Sequence, residues 1–406
     1  MKKLLFISGL DFKDKSIQVI RKTPEFYAEN GWRVDYLVMR DNTILDNYFY
    51  ENEINPINVN TYRIYLPLTK VVNLFSKIKY LNRLVHKFTY FLCLIKLVTY
   101  FFKFKLNKKN YDVIYGYEVH GILVAHFLKL IFQFKNSKII HRFQGSFMFE
   151  YITSHKYSKI LSNFDHLIAL LLNADLYIMT NDGTFGDKLF NKLKKNYLNK
   201  FLFLRNGVDS TNVENNFLNN RFPKTEYTFL TISRLNKWKR VDRSIDFLSN
   251  FKYKYKSKLI ILGDGPELNS LKLKVEEKNL KDFVYFEGSI TSTDVKYYLD
   301  YCDIFLTFYD GSNVGNPLFE AIRSNKLIIT INNGDTGNYI KHKENGLIYD
   351  YQNINYKDIS DDIIEIFSNQ LNKNVIYNNL RILEKNILWT WQERLMYELI
   401  QVNKLL

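Results

Sequence analysis

Cysteine is nearly absent: 406 residues contain two, Cys93 and Cys302, each inside an apolar run. That excludes a disulfide framework and leads us to expect a reducing compartment. Low-complexity stretches are missing too. With 46% hydrophobic and 16% aromatic residues, the chain does not have the composition of a disordered one. No apolar run reaches the ~18 residues that a spanning helix needs. The nearest approach, Phe88–Phe102, is interrupted by Thr89, Lys96 and Thr99. No Gly-x-Gly-x-x-Gly follows the first apolar run, where Gly9 stands alone, and this argues against a nucleotide-binding oxidoreductase. Metal-ligand spacings are also lacking: there is no Cys pair, no His-Glu helix motif and no Asp-x-Asp on a loop of the second half. Asp300 and Asp303 are separated by two residues in a helical context. We therefore expect no metal and no cofactor.

The first residues, Met1-Lys2-Lys3 and Leu4–Ser8, have only the beginning of a leader peptide. The apolar core is short and Asp11, Lys13, Asp14 and Lys15 follow at once, so the expectation is a buried first strand of a cytoplasmic chain without a cleaved leader. The formal net charge is +15, which favours a polyanionic partner. Lysines are scattered and no nucleic-acid-binding motif appears, so a nucleic acid is not the expected partner.

The length suits two domains of about 200 residues each. Short apolar runs alternate with helical stretches, the pattern of open parallel sheets in an α/β protein. Leu4–Ser8, Asp35–Met39, Val113–Tyr115, Lys138–His141 and Leu176–Thr180 read as buried strands, with a helix over Ser16–Asn30. The alternation restarts at Tyr227–Ile232 and continues through Leu259–Leu262, Val284–Phe286, Ile304–Phe308 and Leu327–Thr330. Two doubly wound Rossmann-like domains, 1–205 and 206–385, fit this pattern, with Asn206–Asn220 as the hinge region. Residues 69–109 stand apart as an apolar stretch flanked by lysines. Two readings remain open: an interfacial helix on an anionic membrane surface, or a buried helix with solvated lysines.

Chemistry gathers at predicted strand ends in the second half. Arg234 closes the first of these strands and Lys239 follows five residues later. Two cations there can neutralise a diphosphate without a metal. Gly263-Asp264-Gly265-Pro266 makes a tight strand-to-helix turn in which Gly263 lets a ligand approach the backbone. Asp310–Pro317 leads into a helix that Asn316 can cap, with Pro317 at its first position. The amides around Val314, Gly315 and Asn316 would form an anion site, and Glu320 one turn on can accept hydrogen bonds from ribose hydroxyls. Each motif alone has an ordinary structural explanation.

In order, however, they resemble glycosyltransferase family 4. The resemblance rests on Asn206-Gly207-Val208-Asp209, Ser233-Arg234-Leu235 with Lys239, Leu262-Gly263-Asp264-Gly265-Pro266-Glu267, Glu287-Gly288, Glu320-Ala321 and Glu344-Asn345-Gly346-Leu347. Trp391 resembles the start of the family's tail, which implies that 386–406 form a C-terminal helix crossing back to the first domain. The resemblance implies a GT-B fold, two Rossmann-like domains facing a central cleft, with the acceptor on the first and the donor on the second. It implies a retaining, metal-independent hexosyltransferase that uses a nucleotide-diphosphate sugar. A glycan or lipid-linked acceptor in cell-surface polysaccharide assembly is expected, in the cytoplasm or peripheral on the inner face of a bacterial cell membrane. Arg234 and Lys239 would be catalytic, with His120 as a further polar candidate. Gly263, Gly288, Ser312, Val314, Gly315, Asn316 and Glu320 would bind the donor, and His141 and Gln144 would lie on the acceptor side.

The chain departs from the family at several points. Ser312 stands where the family has the first of two glutamates eight apart, a position implied to touch the donor sugar. Pro317 lacks an amide, Gln144 stands where a histidine is usual, and Asp14-Lys15-Ser16 replaces an early glycine pair. Ser312 also keeps an alternative open: a catalytically weak, sugar-nucleotide-binding partner subunit of the same fold.

Overall fold

The computed structural model describes residues 1–11, 19–40, 55–66, 78, 82–132, 134, 136–209, 217–252, 254–352 and 354–406. The expectations placed on Asp14-Lys15-Ser16, on most of 69–81 and on 210–216 fall outside these residues.

Parallel pairing organises both halves. The first sheet runs β3 (Asn60–Tyr65), β2 (Arg33–Arg40), β1 (Lys3–Ser8), β4 (Val113–Tyr117), β5 (Lys138–Phe143), β6 (Leu176–Thr180) and β7 (Phe201–Leu204). The second runs β10 (Val284–Gly288), β9 (Ser257–Leu262), β8 (Tyr227–Ile232), β11 (Ile304–Thr307), β12 (Leu327–Ile331) and β13 (Leu347–Tyr349). The chain divides into one unit of residues 1–181, 186–206 and 391–406, and a second of 182–185 and 207–390.

Central strands are apolar throughout because both of their faces are covered. In β1, Leu4 and Phe6 join one core with Val34 and Tyr36, whereas Leu5 and Ile7 join another with Leu37 and Met39. This is the two-residue alternation of a strand. The first face is roofed by the helix Val19–Glu29 and by the C-terminal helix Trp391–Asn403, whose Trp391, Leu395, Leu399 and Val402 form one buried stripe. The helices Asn82–Lys103 and Glu118–Phe132 roof the second face through Cys93, Leu97 and Phe101, and Val124, Ala125 and Leu128. Among the described residues, no helix is long and apolar enough to cross a membrane.

Beneath the C-terminal helix lies a buried charge cluster. Arg394 and Glu398, both fully buried, pair at 2.8 Å, and the Tyr115 hydroxyl donates to Glu398 Oε1 at 2.8 Å. Arg142, also fully buried, donates to Thr180 Oγ1 at 2.7 Å. Burial, and then the neighbouring Arg394, hold the Arg142 guanidinium below its ordinary pKa.

In the second unit the loops leaving the strands are hydrogen-bonded in the order of the sheet. Gly263 N donates to Gly288 O (2.8 Å), Leu235 N to Asp264 O (2.9 Å) and Asp310 N to Trp238 O (2.9 Å). Asn313, 2% exposed, continues the series. Its Oδ1 accepts from Thr307 Oγ1 (2.7 Å) and Tyr309 N (3.0 Å), and its Nδ2 donates to Ile331 O at 3.2 Å. Its backbone N donates to Thr336 Oγ1 at 3.1 Å.

Glu398→Ala leaves buried guanidiniums uncompensated and is expected to cost about 3–5 kcal/mol, whereas Tyr115→Phe should cost about 1 kcal/mol. Urea denaturation followed by tryptophan fluorescence checks both, and an unchanged midpoint for Glu398→Ala would contradict the cluster's role. Asn313→Ala strands several buried groups and is expected to cost about 1–3 kcal/mol, read as an earlier thermal transition of the second unit.

Candidate active site

In a doubly wound sheet, ligands sit beyond the carboxyl ends of the strands where the winding reverses. In the second unit that point lies between the neighbours β8 and β11. The segments leaving these two strands are 233–239 and 308–316, which contain six of the nine residues singled out in the second half of the sequence.

Glycine is required in the adjoining turn. Gly263 has φ +132°, and a Cβ there would stand 1.8 Å from Ser233 O; one on Gly265 would stand 2.5 Å from Leu235 O. The turn after β9 can therefore lie against the exit of β8, where Glu267 N also donates to Leu235 O at 2.9 Å. Gly288, with φ +69°, ends β10 beside it.

Arg234 is exposed and Lys239 half-buried. The Lys239 ammonium lies 3.7 Å from the ring centroid of Tyr309 and 4.0 Å from that of Trp238. The Tyr309 hydroxyl donates to Ile232 O at 3.0 Å, which fixes one wall of this clamp. Burial, and then the charge of Arg234, push Lys239 down to about 7. The rest of the basic cluster has structural duties. Arg240 pairs with Asp242 (2.9 Å) and Asp310 (3.2 Å), and Arg243 pairs with Asp310 at 3.0 Å. A pocket of about 440 Å³ beside this cluster is lined by Lys237, Arg240, Asp242, Glu267 and Lys274, acids and bases intermixed.

The helix Asn316–Arg323 starts one residue earlier than expected. Gly315 is the cap residue, in extended backbone, with no side-chain capping bond, and Pro317 stands in the first turn. The expected Asn316 cap is thus corrected. The loop closes its own geometry, since Ser312 Oγ donates to Asp335 Oδ1 at 3.0 Å and accepts from Val314 N at 3.1 Å. Gly334, at φ +60°, gives Ser312 room, because a Cβ there would meet the Ser312 Cβ at 2.7 Å. Glu320 lies one turn into the helix, and burial raises its carboxyl to about 7 against the opposing pull of Lys296.

The remaining candidates belong to the first unit. His120 packs over the turn after β1: a Cβ on Gly9 would come within 2.5 Å of its side chain, and its ring lies 4.0 Å from that of Tyr90. Gln144 is exposed just beyond β5, and its backbone N donates to Glu118 Oε1. His141 departs from its expected acceptor-side place. It is 0% exposed, with its Nε2 2.7 Å from that of His126, so it has no surface to offer a substrate. Burial pushes His126 down to about 4 and His141 well below the ordinary histidine value, so both rings are neutral near pH 7.

Sequence reasoning missed Trp238, Tyr309 and Asn313. Trp238 had a faint signal, an aromatic between two lysines at a strand exit. Asn313 had none, because a loop asparagine looks the same whether or not it is buried.

Residues 212–381 match the family described as Glycosyl transferases group 1. The chain is 30% identical over 125 residues to the alpha-monoglucosyldiacylglycerol synthase of Streptococcus pneumoniae (strain ATCC BAA-255 / R6), covering 30% of this chain and 28% of that protein. It is 27% identical over 110 residues to the 2-deoxystreptamine N-acetyl-D-glucosaminyltransferase of Niallia circulans, covering 27% of this chain and 28% of that protein. The matched stretches therefore span less than a third of either relative. Among solved structures, sucrose-phosphate synthase from Thermosynechococcus elongatus superposes with a TM-score of 0.71 at 16% identity, over 100% of this chain and 99% of that one. Anabaena Alr3699/HepE in complex with UDP gives 0.67 at 14% identity, over 100% of both chains. WaaG, a glycosyltransferase involved in lipopolysaccharide biosynthesis, gives 0.66 at 13%, over 97% and 98%. At these identities the structural likeness bears on the fold alone. Residues 212–381, within the second unit, thus match a glycosyl transferases group 1 domain, and the two Rossmann-like parallel sheets of the chain match the GT-B fold of these glycosyltransferase structures.

Proposed function

We propose that the chain is a retaining hexosyltransferase. It would move a hexose or N-acetylhexosamine from a nucleotide-diphosphate sugar, a UDP-sugar in preference to a GDP-sugar, to a glycan or lipid-linked acceptor in cell-surface polysaccharide assembly. The observation that carries this reading is the placement of Arg234 and Lys239 on the exit of β8, beside the helix Asn316–Arg323 that follows β11, at the reversal point of the sheet. The printed names of the two relatives, a glucosyl-lipid synthase and an N-acetylglucosaminyltransferase, support the sugar class. The UDP named with HepE supports the nucleotide.

In this mechanism the diphosphate lies against Arg234, Lys239 and the amides of Val314, Gly315 and Asn316, with the ribose hydroxyls donating to Glu320. Lys239, held near 7 by burial and by Arg234, takes up a proton as the anion arrives, because negative charge favours the ammonium. The bond from C1 to the diphosphate oxygen breaks, and the acceptor oxygen bonds C1 from the same face. The acceptor proton passes to the departing phosphate oxygen. Two preplaced cations stabilise the charge that grows on that oxygen. Gly263 and Gly288 leave the backbone open to the ligand, and His120 and Gln144 are the acceptor-side groups. Transfer needs no metal in this scheme. The protein would work in the cytoplasm, peripheral on the inner face of a bacterial membrane. One observation favours the alternative of a weakly active partner subunit: Ser312 is already engaged by Asp335, in the place where the resemblance puts a sugar-binding glutamate.

Variants separate these roles. Glu320→Gln is expected to weaken nucleotide binding about tenfold, the equivalent of 1.4 kcal/mol. Arg234→Ala should lower kcat by about a hundredfold or more with a smaller effect on donor affinity. Calorimetric titration with UDP and GDP, alongside turnover with a panel of nucleotide sugars, reads both. Unchanged nucleotide binding in a folded Glu320→Gln protein would mean that the donor site is elsewhere, and binding without turnover on any acceptor favours the partner subunit. Transfer is also expected to survive EDTA; activity lost to the chelator and restored by magnesium or manganese would refute the metal-free scheme.

A further inference from the structure

The outward stripe of a helix that covers a sheet is normally polar. The helix Asn82–Lys103 breaks this rule. Its Cys93, Leu97 and Phe101 face the core, yet Phe88 (54% exposed), Phe91 (60%), Ile95 and Phe102 are open to solvent. At 3.6 residues per turn these four fall within roughly a 60° arc opposite the buried stripe. Lys87 flanks one side of the arc, and Lys96 and Lys103 flank the other.

Two further helices of the same unit share the anomaly. Glu118–Phe132, which packs against Asn82–Lys103, exposes Phe127, Leu130 (80%) and Ile131. Phe164–Leu171, which packs against Glu118–Phe132, exposes Phe164, Ile168 and Leu171. Each set has the three- and four-residue spacing of a single helical face. An aromatic side chain carries roughly 150–250 Å², so the five exposed phenylalanines, each about half open, present about 500 Å² by themselves. That already reaches the size of the largest apolar patch on a typical monomer, which marks an interaction surface.

Charge identifies the occupant. Between Glu53 and Asp112 the chain has no Asp or Glu and eleven Lys or Arg, of which Arg63 and Lys109 are held by Asp11 and Asp35. A second copy would bring one lysine-rimmed patch against another on a chain of net charge +15. An anionic lipid surface instead offers hydrocarbon for the stripes and negative headgroups for the rim. We propose that the face built by Asn82–Lys103, Glu118–Phe132 and Phe164–Leu171 lies flat on an anionic membrane, its apolar stripes at the boundary between headgroups and acyl chains. The proposal deepens the peripheral membrane placement of the proposed function; it rests on this surface and not on the transfer chemistry, so vesicle binding and sugar transfer can fail separately.

Flotation of the full chain with vesicles tests it. Binding to mixed phosphatidylcholine and phosphatidylglycerol vesicles should far exceed binding to phosphatidylcholine alone. Replacing Lys87, Lys96 and Lys103 together with Gln should weaken the partition on the order of a hundredfold, at about 1 kcal/mol per lysine. Phe91→Ser combined with Leu130→Ser, both at exposed positions, should reduce it at least tenfold with an unchanged thermal midpoint. Phe91→Trp should show a blue-shifted emission that lipid-borne bromine quenches. No binding, equal binding to both vesicle types, or binding that the serine variants leave intact would each overturn the proposal. Sedimentation showing a dimer that the same serine variants dissociate would overturn it in favour of a second copy.

Discussion

The carboxyl end of the second sheet is held together through Asn313. A parallel sheet leaves the backbone groups at its strand ends without ladder partners, and buried groups of that kind must be satisfied. One amide side chain does this for three elements, accepting from Thr307 and Tyr309 and donating to Ile331. The position of Tyr309 follows, and with it the aromatic clamp on Lys239. The loop that carries Ser312 is tied to Asp335 and Thr336 in the same way. The site is thus preorganised by hydrogen bonds among loops that are far apart in sequence.

That rigidity gives the cations their character. Lys239 is partly withdrawn from water and stands near a second positive charge, so its proton is held weakly. Such a lysine is poised to respond to an arriving anion. Arg240 and Arg243, close by in sequence, have carboxylate partners and serve the loop instead. Within the ten positions 234–243 geometry and not residue type sets the duty: Arg240 and Arg243 pair with carboxylates, whereas Lys239 sits between aromatic rings.

The first unit handles charge differently. Arg142, Arg394 and Glu398 are sealed beneath the C-terminal helix, where one carboxylate stands among two guanidiniums. Lys87 and Lys103, with Phe88, Phe91 and Phe102, are turned outward. The helix 82–103 is built into the core, as the buried-helix reading of 69–109 has it, and its outer stripe is still apolar.

By itself the sequence determined the α/β class, the two-sheet plan and the central strands, because strands buried on both faces must be continuously apolar and β6 and β8 were bounded to the residue. It left out β3, β7 and β13, which are edge strands with only one neighbour and mixed burial, so that their residues carry little hydrophobic signal. The order of the site motifs was legible because a glycine or a cation at a strand exit keeps its place in the chain. Tertiary structure alone decided that Gly263 and Gly265 must lack side chains, since the atoms they would meet, Ser233 O and Leu235 O, lie on another strand's exit. It decided that His141 is in the core, because a strand residue's face depends on the helices that cover it. It also decided that Gly315 and not Asn316 precedes the helix, because Asn313 and Ser312 hold the preceding loop in a path that no local preference records.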